Sequence, residues 1–243
     1  MPRLSELSPS DQRHKIKRDV ALGYRLFAAA RWGDLGDGHI SGRDPERRDC
    51  FWVLRWGVSY HEATINDLVL VGPDGSLVEG EGHINVAAYY IHQPVLAARP
   101  DINSAAHVHT GWGTPFAAEV RPLEAITQES CIFFEDHALF DDEEVQIQDC
   151  AGGERIAKSL GGKRAAILRN HGILTVGEEV GETVASFFLL ERVCEAHMKA
   201  RHAKPISDEA ARYAKSDLTK TGSARHYFNS LLRRHIPDLS VIE

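Results

Sequence analysis

Apolar residues recur at helical spacing near the start of the chain. Ile16, Val20, Leu22, Leu26, Phe27 and Ala30 follow a Ser/Pro/Asp opening, which predicts an amphipathic helix. The next stretch, GDGHISGRDPERRD, is dense in Gly, Asp and Pro and reads as a loop. CFWVLRW reads as a buried strand. EATINDLVLVGPDGSLVEGEG reads as a short turn, a strand, a Pro-Asp-Gly turn and another strand. INVAAYYIHQPVLAA suits a helix that Pro94 should bend or restart. INSAAHVH is then a strand, and GTPFAAEV a short helix with Thr114 as cap and Pro115 at its first position. The 120s to 140s read as strands and acidic loops. CAGGERIAKSLGG is a helix closed by a Gly pair, RAAILRNHGILTVG a strand–turn–strand, and VGETVASFFLLERVCEAHMKARHA a long amphipathic helix. The last third is helical, with an exposed tail from Ser216 on. Strands in the middle, with helices at both ends and between, predict one mixed-sheet α/β domain.

Composition narrows the class. With 43% hydrophobic residues over 243 positions, the chain can bury a substantial core. A net charge of −7 and a main basic cluster limited to Arg233-Arg234-His235 argue against nucleic acid or an anionic membrane as partner. MPRLSELSPSDQRHK has no apolar core, and no run of about 18 apolar residues occurs. Neither a signal peptide nor a membrane span is expected, and the reading is a cytoplasmic protein. Cys50, Cys131, Cys150 and Cys194 are widely spaced with no CxxC pair, as expected of reduced, mostly buried thiols.

The chemistry concentrates in AAHVHTGWGTPFAA. Side chains at i and i+2 of a strand point the same way, so His107 and His109 share a face and Val108 turns to the opposite layer. His171, in ILRNHGILTVG, lies in a turn between two apolar runs that would push its ring out of the sheet. Three converging neutral imidazoles form a facial ligand set with open positions, as a catalytic metal site requires. The competing reading is plain: in a chain with thirteen histidines, such a pair arises by chance, and all three can be satisfied structural residues.

Several motifs together resemble the class II aldolase/adducin family. ARPDINSAAHVHT is similar to its R-P-D-x-N-x-x-x-H-x-H strand, and ILRNHGILTVG to its N-H-G-x-x-x-x-G turn. GHISGRDP resembles its Gly-rich loop, EATINDLVLVGPDG its T-x-x-D-L-V strand entry, and ERVCEAHMKA its long late helix. The likeness covers roughly residues 15–203, in order. It implies an α/β/α sandwich around a mixed, mainly antiparallel sheet. It also implies a divalent metal on His107, His109 and His171, zinc first with iron or manganese as alternatives. A homotetramer with active sites between subunits is carried over in the same way. The expected division is a metal-binding domain over residues 1–206 and a helical extension over 207–243 that packs at a subunit interface.

The sequence departs from the sugar-phosphate aldolases of that family in two places. Counting back from Arg99-Pro100-Asp101, their catalytic Glu falls on Ala88, which cannot transfer a proton. His92, one helical turn later on the same face, is the candidate replacement, or else a satisfied helix histidine beneath the site. The positions of small phosphate-binding donors hold His39, Trp56-Gly57 and Val86-Ala87. A sugar phosphate is therefore an unpromising substrate. A flatter anion such as an aromatic hydroxy-carboxylate fits better, with Trp56 and Trp112 offering faces and Arg55 or His39 the counter-charge. Strand alternation places Arg55 and Trp56 on opposite faces, so both line one pocket only if the chain twists there. Glu129, and more weakly His137, are candidates for orienting a ligand imidazole.

These features predict a metal-dependent carbon–carbon lyase acting through a metal-stabilised enolate. Decarboxylation is favoured over aldol cleavage, since losing CO2 needs no base to remove a hydroxyl proton. A non-heme iron oxygenase on the same fold is the alternative, because three histidines without a carboxylate also suit Fe(II) and O2. A non-catalytic, adducin-like interaction domain comes last.

Overall fold

The computed structural model describes residues 6–220 and 223–243. Its eight strands are β1 (Gly38–Arg43), β2 (Phe51–Leu54), β3 (Leu68–Val71), β4 (Leu77–Glu79), β5 (Ser104–Val108), β6 (His137–Phe140), β7 (Ala165–Leu168) and β8 (Gly172–Gly177). They form one sheet in the order β4-β3-β2-β1-β5-β8-β7-β6. β6 and β7 run parallel, and every other neighbouring pair is antiparallel. Helices α1 (Pro9–Ala29), α3 (Gly113–Ala118), α5 (Val180–Lys199) and α7 (Ser223–His235) bury Leu26, Phe27, Phe116, Phe187 and Phe228 against one face with Ile40 and Val108. Helices α2 (Val86–Ala98) and α4 (Cys150–Leu160) cover the other face, where Ala88, Ile91 and Ile156 meet Leu174 and Val176. The result is the expected α/β/α sandwich. α6 (Asp208–Leu218) packs beside the 3-10 helix Glu129–Phe133, with Ala211 against Cys131.

Several local expectations change. The Gly-rich stretch read as a loop contains β1, fully buried and hydrogen-bonded to β5 along Gly38–Gly42. Its glycines answer to close packing, not to turns. A Cβ at Gly38 would lie 2.5 Å from Val108 Cβ, and one at Gly42 would lie 2.6 Å from Ile16 of α1. Pro94 sits inside an unbroken α2. The carbonyl its missing N–H leaves free is that of Tyr90, and α4 lies directly on it at Gly153, where a Cβ would come within 1.9 Å of that oxygen. Thr114 does not cap α3; its hydroxyl accepts from the Thr110 N–H at 3.0 Å. The segment after Ser216 is not an exposed tail either. Phe228, Leu232, Ile236 and Ile242 are buried in the same core as α1 and α5.

β1 also opens the sheet. It pairs with β2 only at Gly42–Trp52 and Arg43–Phe51, and beyond that the two strands part. Tyrosines from outside the sheet take over the backbone groups β2 no longer reaches. The Tyr24 hydroxyl accepts from Ile40 N–H at 2.8 Å and donates to Ile40 C=O at 3.1 Å, and Tyr60 donates to Gly38 C=O. Their rings meet edge-on at 4.7 Å, so the strand edge is satisfied without a neighbouring strand.

Candidate metal centre and adjoining cavity

His107 is the penultimate residue of β5 and His109 follows its end. His171 comes from the three-residue loop joining β7 and β8, whose flanks Leu168 and Gly172 are paired. Asn170 holds the left-handed conformation there, φ 53°, which Asn tolerates better than most residues. Across the sheet β8 lies beside β5, and this brings the loop histidine over the strand pair. The three rings stand 4.7, 5.0 and 5.3 Å apart between centroids. One nitrogen of each lies within 4.8 Å of the others.

The donor set fits a divalent ion. His107 Nδ1 donates to the Ile173 carbonyl at 2.9 Å, which fixes the tautomer and leaves Nε2 with its lone pair. Burial and the neighbouring histidines push His107 well below its ordinary pKa, and partial burial beside His109 brings His171 down to about 4. Neutral imidazole is the form that binds metal. Gly172 allows the packing: a Cβ there would sit 3.2 Å from His107 Cε1.

The turn after His109 is tied down by a residue that sequence reading passed over. Glu191, buried on α5, accepts from the Thr110 hydroxyl at 2.5 Å, from Gly113 N–H at 2.7 Å and from Trp112 N–H at 3.0 Å. Burial raises its pKa against those bonds. Its only sequence signal was a charge within the apolar run SFFLLERVC.

Beside the trio, a second histidine pair runs inward. His39 faces His107 across the β1–β5 pair, ring centroids 5.2 Å apart. His39 Nδ1 lies 2.8 Å from His92 Nε2, and His92 Nδ1 lies 2.6 Å from Ser41 Oγ. All three residues are buried. Desolvation, then the neighbouring histidine charge, lowers His92 to about 3 and His39 well below its usual range. His39 also borders a cavity of about 410 Å³ between the parted β1 and β2, walled by Tyr24, Tyr60, Arg55, Trp56 and Asn85.

The sequence profile of the "Class II Aldolase and Adducin N-terminal domain" family matches residues 18–198. The chain belongs to the class II aldolase and adducin family. Among its relatives is "Decarboxylase NovR" of Streptomyces niveus, 34% identical over 242 residues, which cover 96% of this chain and 90% of the relative. A second is "4-hydroxy-3-prenylphenylpyruvate oxygenase/4-hydroxy-3-prenylbenzoate synthase" of Streptomyces roseochromogenus subsp. oscitans, 36% identical over 214 residues, covering 86% of this chain and 77% of that protein. In structure, the chain is similar to an L-fuculose 1-phosphate aldolase from Glaciozyma antarctica PI12, with a TM-score of 0.83 and 30% identity, covering 93% of this chain and 92% of that one.

Within this class II aldolase fold the remaining candidates fall unevenly. Arg55, Trp56 and Gly57 border the same cavity as His39. They can do so because β2 ends at Leu54 and Gly57 turns through φ 89°, so strand alternation no longer applies. The Arg55 charge is matched by Asp67 at 2.8 Å. Trp112 is placed elsewhere: its ring packs on the core under the Lys199 ammonium at 4.8 Å, away from the cavity wall. Glu129 faces Arg192 on α5 at 3.8 Å. The carboxylate near a trio imidazole is instead that of Asp37, 3.9 Å from His109 Nδ1. His137 bonds backbone at both nitrogens, Phe133 C=O and Leu123 N–H. Among the described residues no helix is long and apolar enough to cross a membrane.

Proposed function

We propose that this chain is a divalent-metal-dependent lyase that cleaves a carbon–carbon bond in a small, non-phosphorylated hydroxy-carboxylate or hydroxy-carbonyl compound, with decarboxylation favoured. The observation that carries this reading is a three-histidine centre beside a helix that offers no carboxylate. Ala88 is fully buried on α2, the helix packed on β1 and β5. The names of the two Streptomyces relatives, one a decarboxylase and one a 4-hydroxy-3-prenylphenylpyruvate oxygenase, support in turn the reaction class and an aromatic substrate.

His107, His109 and His171 would hold the ion, zinc in the first instance with iron or manganese as alternatives. An ion there supplies Lewis acidity toward a chelated hydroxy-carboxylate. The chain's own residues do the rest. The cavity beside His39 accommodates a planar ring against Tyr24, Tyr60 and Trp56. His39 stands between that space and His107. His92 acts on the site only through His39, since its ring is enclosed. Departure of CO2 requires no base at position 88. Leu35 and Trp56, bordering the cavity and 88% and 55% exposed, support the carried-over homotetramer with sites between subunits. The helical extension beyond residue 206 and a cytoplasmic setting belong to the same reading.

A second reading, a non-heme iron oxygenase, draws on the second Streptomyces relative's name and on the all-histidine set. One experiment separates them. Metal-loaded protein is incubated with small aromatic and aliphatic hydroxy acids with and without oxygen. Release of CO2 without oxygen supports the lyase. Turnover that requires iron and consumes oxygen supports the oxygenase and overturns the leading reading. An aldehyde product without CO2 returns the chain to the aldolases.

A further inference from the structure

The buried chain Ser41–His92–His39 has a direction. A neutral imidazole carries one N–H and one lone pair, so two arrangements are open. In the outward one, the Ser41 hydroxyl donates to His92 Nδ1, His92 Nε2–H donates to His39 Nδ1, and His39 keeps its proton on Nε2. In the inward one every donation reverses: His39 Nδ1–H donates to His92 Nε2, and His92 Nδ1–H donates to Ser41 Oγ. The serine hydrogen then needs another acceptor. Ser41 is fully buried, and among the described residues its hydroxyl bonds no atom other than His92 Nδ1. The inward arrangement therefore strands the serine hydrogen in the core, while the outward one pairs Ser41 and His92 and leaves only His39 Nε2–H, at the cavity border, to meet a ligand.

From this accounting we infer that His39 is a fixed hydrogen-bond donor, its Nε2–H set by His92 and Ser41. The inference rests on the proposed function for its ligand class, a carboxylate or carbonyl oxygen held between the cavity and the histidine trio. Ser41 and His92 are positioning residues. The chain ends at an enclosed serine, so it orients His39 and does not conduct protons from solvent. That removes His92 as the source of the proton for the carbanion left by CO2, and it makes His39 a reader of oxygen acceptors, rejecting a ligand that presents a donor there.

The arrangement can be read directly. Histidine-15N-labelled protein, free of metal, is examined by two-bond 15N–1H correlation at neutral pH, with His39→Gln and His92→Gln used to assign the signals. Both rings are expected as Nε2–H tautomers in the wild-type protein. A His39 ring protonated at Nδ1 overturns the inference, whatever the reaction proves to be. Salicylate binding to zinc-loaded protein gives the second readout. Ser41→Ala removes the orienting donor and should weaken binding about tenfold, the scale of one lost hydrogen bond, while Ser41→Thr restores it. Equal binding by wild type and Ser41→Ala, with His39 unchanged in tautomer, also overturns it. A wild-type protein with the expected tautomers that releases no CO2 leaves the inference standing and counts against the lyase alone.

Discussion

At the scale of single residues, the centre depends on how tightly each imidazole is held. His107 is oriented by the Ile173 carbonyl, whereas His109, its side chain 41% exposed, relies on the turn that follows it. Glu191 closes that turn with three accepted bonds. Glu191→Gln should therefore weaken metal binding about 10- to 100-fold, the range for partners behind the ligands, as read by competition titration with a chromophoric chelator. His109→Ala should cost more, because it deletes one of the three proposed ligands. Period-two alternation marked His107 and His109 as a same-face pair and the turn between two apolar runs marked His171, but their reading as one ligand set came with the family resemblance. Glu191 was not legible in the sequence, because a lone charge on an apolar helix face carries no sign of which backbone groups it will meet.

Elements succeed or fail on backbone contact. α2 keeps its course through Pro94 because α4 brings Gly153 against the Tyr90 carbonyl. Gly153→Ala should destabilise the protein by about 1–3 kcal/mol or more, the usual cost of overpacking, visible as a lower urea midpoint. β1 shows the limit of composition as a guide. Gly, Asp and Pro signal turns because they free the backbone, yet in GHISGR the glycines are there to let β5 and α1 approach. That requirement comes from distant neighbours and leaves no local trace. The cavity was equally hidden, since it exists only because Tyr24 and Tyr60 bond the edge of β1 after β2 has turned away.

For the whole molecule, imidazoles shielded from water couple stability to pH. His39, His92, His107 and His171 all have folded pKa values below the ordinary value of 6.5, His92 near 3 and His171 near 4. The unfolded chain takes up protons near 6.5 that the folded one refuses. Stability is therefore fully present above 6.5 and is lost as pH falls toward 4 and then 3. Urea midpoints of the metal-free protein should drop steadily between about pH 7 and pH 5, and His92→Gln should flatten that slope. The C-terminal segment also belongs to the folded unit. Ile242, fully buried, should cost about 2–5 kcal/mol on change to Ala, where an exposed tail would cost nothing measurable by thermal unfolding. A mixed-sheet α/β domain was foreseeable from the order of strands and helices, and the sandwich from the family resemblance. The burial of the last helix was not, because its apolar residues are sparse and their partners lie on α1 and α5.

The central claim is that His107, His109 and His171 form one metal centre. Elemental analysis of the purified protein, set beside His171→Ala after reloading with zinc and gel filtration, tests it most directly. The account predicts about one ion per chain in the wild type and none retained by the variant. Equal metal in both, or no metal bound by the wild type after reloading, would contradict it.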